Sequence, residues 1–192
     1  MDPNDWIQWG TGLAMGLALA ATCGLRAFLP LFAIGCLGAT GQIELAQPYE
    51  WMQRPIALIG LGAAVLLEIA GDKFPLVDHL LDSAAVVVKP IAAMVASASV
   101  MTEMDPMVTA VVGLLVGGTL AEGVHLVKAK ARLWSSALTA SLANPVLSLL
   151  EDAVAVVATI AAILAPLLAV CCAILAGFAG VRWWLGRRKQ AA

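Results

Sequence analysis

Ionisable side chains stand inside or beside the long apolar stretches of this sequence. Arg26 interrupts the first stretch, Glu68 lies near the end of the second, and Glu122 and His125 share a helical face of the fourth. Charge at bilayer depth is costly, so such a group normally faces the bundle interior or a cavity and pairs there. These residues indicate an intramembrane polar site, where a carboxylate could carry a proton or bind a hard cation.

The same criterion, a polar or ionisable side chain inside or beside an apolar stretch, defines the whole candidate site. Asp72 lies one helical turn after Glu68, and Lys128 lies one turn after His125. We predict that these side chains bind or transport an ion; they specify no cofactor, and they leave open whether a metal cation is bound. The candidate residues are Arg26, Glu68, Asp72, Lys73, Asp78, Glu122, His125, Lys128, Asn144, Glu151 and Asp152.

A purely structural explanation of the same charges stays open beside this one. Arg26 could neutralise Glu68 or Glu151, and Lys73 and Lys128 could pair locally or extend to the membrane interface. Asp78, His79 and Asp82 would then form the solvated face of an interfacial helix.

Enzyme classes find little support in the motifs. Glu122-Gly-Val-His125 matches one Glu-x-x-His element, but a di-iron bundle needs two such elements and two further Glu residues. Two histidines leave a zinc hydrolase short of its usual ligands, and no serine elbow, phosphate loop or dinucleotide motif occurs. We therefore predict a protein that is not an enzyme and has no catalytic residues. The remaining enzymatic alternative is a lipid-modifying site at the interface, built from Asp72, Asp78, His79, Asp82 and Lys128.

The composition points to a membrane protein. Of 192 residues, 61% are hydrophobic and 12% are charged, with a mean hydropathy of +0.93, whereas soluble domains are about half apolar and a quarter charged. No basic face is interleaved with aromatic residues, which excludes nucleic acid as a partner. We expect one all-α, polytopic helical membrane domain over residues 1–192, with the bilayer and a small ion or solute as its partners.

Five to six transmembrane segments are expected, with one or two of them broken or re-entrant. The first holds Arg26 and Pro30, so a kink or a helical hairpin is predicted there. The fifth is polar and contains Asn144-Pro145, which favours a shielded or re-entrant helix. The six apolar segments are 10–38, 55–71, 83–101, 106–127, 133–150 and 153–181.

Basic clusters set the expected orientation. The predicted loop at Lys128–Arg132 and the basic tail, residues 182–192, should both be cytoplasmic by the positive-inside rule. We expect a bacterial inner membrane protein with a cytoplasmic C-terminus. Whether residues 10–38 cross the membrane or re-enter it stays open, and the side of the N-terminus stays open with it.

Two further patterns concern helix packing. Gly113, Gly117 and Gly118 form a small-residue face that should seat a neighbouring helix. Leu-Leu-Glu ending at Glu68 and again at Glu151 is compatible with an inverted repeat. A homodimer is compatible with the small size of the bundle.

Four motifs also resemble those of a known family. In chain order they are residues 24–30 (GLRAFLP), 68–78 (EIAGDKFPLVD), 125–132 (HLVKAKAR) and 144–152 (NPVLSLLED). They resemble the bacterial membrane family catalogued as "domain of unknown function 4126", over nearly the whole chain. The resemblance implies an integral membrane protein and supplies no activity.

The sequence thus favours a small membrane transporter or channel for a cation or a proton-coupled solute. Its polar path would lie between broken helices and be lined by Arg26, Glu68, Asp72, Glu122 and Glu151. The alternative is a non-catalytic membrane scaffold or partner-binding protein, in which the same charges form structural ion pairs.

Overall fold

The computed structural model describes residues 3–71, 75–139 and 144–166, together with Leu168, Leu175 and Arg182. Within these residues every regular element is a helix and no strand occurs, which confirms the all-α prediction. In chain order the elements are α1 (Pro3–Cys23), α2 (Phe28–Ala39), a 3-10 helix (Gln47–Gln53), α3 (Pro55–Gly71), α4 (Pro75–Ser99), α5 (Pro106–Val112), a π-helical segment (Gly113–Gly117), α6 (Gly118–Thr139) and α7 (Asn144–Leu164).

Apolar helices suited to a membrane are present, in smaller number than predicted. Pro106–Ser135 and Val146–Leu164 are each long and apolar enough to cross a bilayer. The 3-10 helix and α3, bent by 73° where they meet, make a third span if they count as one. The described residues therefore do not confirm five to six spans.

The outer faces of the helices are apolar, as contact with lipid requires. Ile56, Leu138 and Leu164 are 78–80% exposed, whereas Arg26 and Lys89 are only 2% and 4% exposed. This distribution is the reverse of that in a soluble protein, where charged groups are almost never fully buried unless paired. Exposed tryptophans lie close to helix ends, where interface anchors are expected: Trp6, Trp51 and Trp134.

The predicted interruption of the first apolar stretch is confirmed. Helix α1 ends at Cys23 and α2 begins at Phe28, so the break consists of residues 24–27. Pro30 is the third residue of α2, within the first turn, where a missing backbone N–H costs no intrahelical hydrogen bond. The proline therefore sits at the start of a new helix, and the break precedes it.

The prediction of a separate fifth segment over 133–150 is wrong. Helix α6 continues through Lys128–Arg132 to Thr139, and α7 begins at Asn144, so the expected basic loop is helical. Lys, Ala and Arg are strong helix formers. Lys128 and Arg132 remain inside the bundle because Glu151 compensates their charge. Glu151 and Asp152, which lie between the predicted segments 133–150 and 153–181, are inside α7.

Small residues bring α1, α4 and the π-helical segment close together. A Cβ atom added at Gly113 would lie 2.6 Å from the Ser97 hydroxyl oxygen, and one at Gly117 would lie 3.1 Å from the Ala20 Cβ. A Cβ at Gly118 would lie 3.3 Å from the Pro90 Cβ. The predicted glycine face therefore seats neighbouring helices, as small residues do in membrane bundles.

Replacing Gly113 by Ala should destabilise the protein, because the new methyl group overlaps Ser97 and the backbone of α4. Overpacking of this kind costs about 1–3 kcal/mol. Gly123→Ala is the matched control, since an added Cβ there has open space, and helix propensity alone would stabilise it by up to about 1 kcal/mol. Thermal unfolding of both variants in detergent measures the difference, and equal stabilities would contradict the close packing.

Candidate functional site

The candidate site is the break between α1 and α2. A helix that ends leaves backbone carbonyls without intrahelical partners, and a helix that begins leaves N–H groups in the same state. In the interior of a membrane protein no bulk water is available to these groups, so side chains must satisfy them. The structure shows charged side chains from α3, α4 and α6 in this role.

Glu68 of α3 satisfies the start of α2. The Ala27 N–H donates to Glu68 Oε1 at 2.7 Å, and the Phe28 N–H donates to Glu68 Oε2 at 3.2 Å. Ala27 is the N-cap residue and has no side-chain oxygen of its own, so the capping carboxylate comes from another helix. A negative charge also interacts favourably with the positive end of the α2 dipole.

Two lysines satisfy the carbonyls that follow α1. Lys89 Nζ from α4 donates to the Gly24 carbonyl oxygen at 2.9 Å, and Lys128 Nζ from α6 donates to the Leu25 carbonyl oxygen at 3.4 Å. Cations are favourable at the carboxyl end of a helix, where the dipole is negative. The two ends of the break therefore carry opposite, matched charges.

Arg26 lies within the break and joins two further helices. Its Nη1 donates to the Glu68 backbone carbonyl at 2.9 Å, and its Nη2 forms an ion pair with Asp152 Oδ1 of α7. The expectation that Arg26 pairs with the side chain of Glu68 or Glu151 is corrected, because among the described carboxylates it is Asp152 that forms the ion pair. A guanidinium that is 2% exposed needs such a partner, since an uncompensated buried charge is strongly destabilising.

Glu151 forms a second ionic group between α6 and α7. Its Oε2 lies 3.3 Å from Lys128 Nζ and 3.0 Å from Arg132 Nη2, and Arg132 Nε donates to Oε1 at 3.4 Å. The arginine thus holds the carboxylate with two parallel hydrogen bonds, a geometry that lysine cannot provide. Lys128 links this group to the break through Leu25.

Two buried basic side chains, Lys89 and His125, are in contact next to the break. Lys89 Nζ lies 2.7 Å from His125 Nδ1, and the two residues are 4% and 6% exposed.

His125 was predicted from the sequence, whereas Lys89 was missed. The signal for Lys89 was available: it is the only ionisable residue between Asp82 and Glu103. Arg132 was assigned only to a basic loop, and its pairing with Glu151 depends on α6 continuing as a helix.

The remaining predicted residues either form no hydrogen bond with these side chains in the described part of the chain or lie outside it. One carboxylate oxygen of Glu122, Oε2, is buried and accepts no hydrogen bond from the described residues. Asp72 and Lys73 lie outside the described residues, as do the side chains of Asp78, His79, Asp82 and Asn144. The interfacial lipid-modifying site therefore falls mostly outside the described part of the chain.

A small cavity adjoins the site. It has a volume of about 20 Å³, which is room for about one water molecule. Its polar wall is formed by Arg26, Glu68 and Asp152, and its apolar wall by Leu29, Val65, Ile69 and Val156. Among the described residues, no three His, Cys, Asp or Glu side chains are grouped closely enough to hold a metal ion.

Removing one charge of the Arg26–Asp152 pair should destabilise the bundle. Asp152→Asn leaves the guanidinium buried without its anion, and breaking a buried pair in this way costs about 3–5 kcal/mol. Arg26→Met combined with Asp152→Leu should cost less than the sum of the two single changes, because neither charge is then stranded.

Thermal unfolding in detergent is the measurement for these variants. Glu44→Gln is the matched control, because Glu44 is exposed and its loss should change stability by no more than about 0.5 kcal/mol. Additive effects of the two single changes at Arg26 and Asp152 would show that the pair contributes nothing to stability.

A family model matches residues 13–186 of the chain, a range that contains every residue of the site from Arg26 to Asp152. No curated protein matches the chain, and no solved structure does. The matched range confirms the resemblance found in the four sequence motifs. The chain belongs to the family described as "Domain of unknown function (DUF4126)".

Proposed function

We propose that this protein is a small membrane transporter that couples solute movement to a proton, with its internal site at the break between α1 and α2. One observation supports the proposal above all. Charged side chains from α3, α4, α6 and α7 converge on four residues of a broken helix, in a bundle whose described helices expose mostly apolar side chains. Broken helices of this kind form the ion and substrate sites of many transporters.

The free-energy cost of burying these charges around a broken helix supports a functional role. Each buried ion must be removed from water, and replacing a buried ion pair by apolar side chains is often neutral or stabilising. A continuous apolar helix would also have avoided the free backbone groups at Gly24, Leu25, Ala27 and Phe28. Ionisable residues within membrane proteins are typically retained on ion pathways and proton relays.

A proton fits this site better than a metal cation. Glu68, Glu151 and Asp152 already contact cationic groups or backbone N–H groups, and the described residues contain no metal-binding cluster. Protonation of Glu68 would convert one of its two acceptor oxygens into a donor, which could no longer accept from the α2 backbone. The hydrogen bonds between Glu68 of α3 and the start of α2 would weaken. Binding of a proton would thereby be coupled to movement of α2.

The structure corresponds to an occluded conformation in this proposal. The cavity beside Arg26 holds about one water molecule, so a larger solute requires α2, α3 and α7 to separate. The cavity wall and the capping contact share Glu68, so the group that binds the proton would also control access.

The proposed location follows from charge and apolar surface. We place the protein in the inner membrane of a bacterium with its C-terminus on the cytoplasmic side, because residues 182–192 carry four basic and no acidic residues. We assign it no catalytic reaction and no cofactor.

A membrane scaffold is the second candidate. It is favoured by the extent to which the described charges are already paired: Arg26 with Asp152, and Glu151 with Lys128 and Arg132. In a scaffold these pairs would fix the packing of α7 against the bundle and would never open.

Proton flux into proteoliposomes under an imposed membrane potential tests the proposal. Protons, monovalent and divalent cations and anions are screened, with a pH-sensitive dye inside the vesicles. We expect flux from the natural protein, and from Glu68→Gln a signal no higher than that of protein-free vesicles, because the neutral side chain cannot exchange a proton.

Glu44→Gln is the matched control, since it removes an equivalent charge at an exposed position and should leave flux unchanged. Gel filtration verifies that each variant is folded before reconstitution. Absence of flux across the panel from folded, inserted protein would reject the transporter and favour the scaffold. Unchanged flux in Glu68→Gln would remove Glu68 from the mechanism.

A further inference from the structure

Two side chains that are both basic touch each other in the interior of the bundle. Lys89 of α4 and His125 of α6 are almost completely buried, and their nitrogen atoms Nζ and Nδ1 are 2.7 Å apart. Buried lysines normally contact carboxylates or carbonyls, and Lys89 does contact the Gly24 carbonyl. Lys89 also contacts a titratable imidazole, which the helix end does not require.

The chemistry of the two nitrogens limits the charge that this contact tolerates. An ammonium group has only donors, so a protonated Lys89 can bond to Nδ1 only if that nitrogen has a free electron pair. His125 is then neutral and carries its hydrogen on Nε2. The alternative places the hydrogen on Nδ1 and the electron pair on Nζ. In either case the two facing nitrogens share one hydrogen, and protonating both would direct two donors at each other.

Other charged groups lie on the neighbouring elements. Cys23 at the end of α1 is within electrostatic reach of both Lys89 and Glu68. The titratable and charged groups of this region among the described residues are Cys23, Arg26, Glu68, Glu122, Lys128, Arg132, Glu151 and Asp152.

We propose that Lys89 and His125 form a proton-binding pair whose protonation state controls the contact of α4 with α6 at the helix break. When the shared hydrogen is on Nζ, the free electron pair of Nδ1 binds a proton from solution; a new Nδ1–H bond forms, the Nζ–H···Nδ1 hydrogen bond is lost, and the charge of the pair rises by one. Repulsion then separates the two side chains. Lys89 also holds the Gly24 carbonyl, so the separation acts directly on the carboxyl end of α1.

The role of this pair in transport rests on the proposed function, whereas proton binding itself does not. If the protein is a transporter, the pair identifies the proton as the coupling ion and provides a proton-binding site distinct from Glu68. If the protein is a scaffold, the pair still makes the packing of α4 on α6 depend on pH.

Nitrogen NMR of protein with ¹⁵N-labelled histidine, in lipid nanodiscs, tests proton binding directly. The chain has two histidines, so the signal lost in His125→Gln belongs to His125, and His79 serves as an internal reference. We expect His125 as the neutral Nε2–H tautomer at high pH and as the doubly protonated ring at low pH.

Substitutions at Lys89 test whether the two groups act as a pair. Lys89→Met should shift the midpoint of the His125 titration by about one pH unit or more, because a charge in direct contact is removed. Lys89→Arg is the control for a folding defect, because it keeps both the positive charge and donors for the Gly24 carbonyl. Gel filtration verifies that this variant is folded. It should also change the titration, since a guanidinium does not give up a proton.

The proposal is overturned if His125 keeps one tautomer through the whole pH range, or if both Lys89 variants titrate like the natural protein. His125→Gln supplies the functional test, because its amide oxygen can still accept from Lys89 but cannot bind a proton. Loss of pH-dependent flux in folded His125→Gln supports the coupling role. Titration of the pair in a protein that shows no flux supports proton binding and rejects the transporter.

Discussion

The structure depends on one constraint: a helix is broken inside a bundle whose surroundings offer no water to the broken backbone. The carbonyls after α1 receive the ammonium groups of Lys89 and Lys128, and the N–H groups at the start of α2 receive the carboxylate of Glu68. Each charge has the sign that the adjacent helix dipole favours. Because the three capping residues come from α3, α4 and α6, satisfying the break also fixes the positions of these helices.

Other irregularities lie beside this break. Pro90 follows Lys89 within α4, and it packs against Gly118 directly after the π-helical segment. Gly24 packs closely against Val124 of α6, one residue before His125. Prolines and π-bulges are common sites of helix bending, and π-bulges frequently mark functional sites. In the proposed transport mechanism, this region is the part of the bundle that changes conformation.

The sequence predicted the components of the site better than their partners. The interruption near Arg26 and the packing role of Gly113 and Gly117 are confirmed. The partner of Arg26 was not predictable, because Glu68, Glu151 and Asp152 are chemically equivalent candidates and only the placement of α7 selects Asp152. The predicted basic loop at 128–132 is wrong because charged residues and short apolar runs do not by themselves end a helix, and all five residues favour helix formation.

The sequence by itself determined that this chain is an all-helical membrane protein, that its first apolar stretch is interrupted, and that several buried positions carry charge. These properties follow from composition and local spacing, since hydrophobic length and proline chemistry act within a few residues of the chain. Only the tertiary structure decided which charge meets which backbone group: Glu68 at the start of α2, Lys89 between Gly24 and His125, and Glu151 between Lys128 and Arg132. These contacts join residues 19 to 65 positions apart along the chain. Their formation depends on how helices with apolar outer faces pack, which no local pattern specifies.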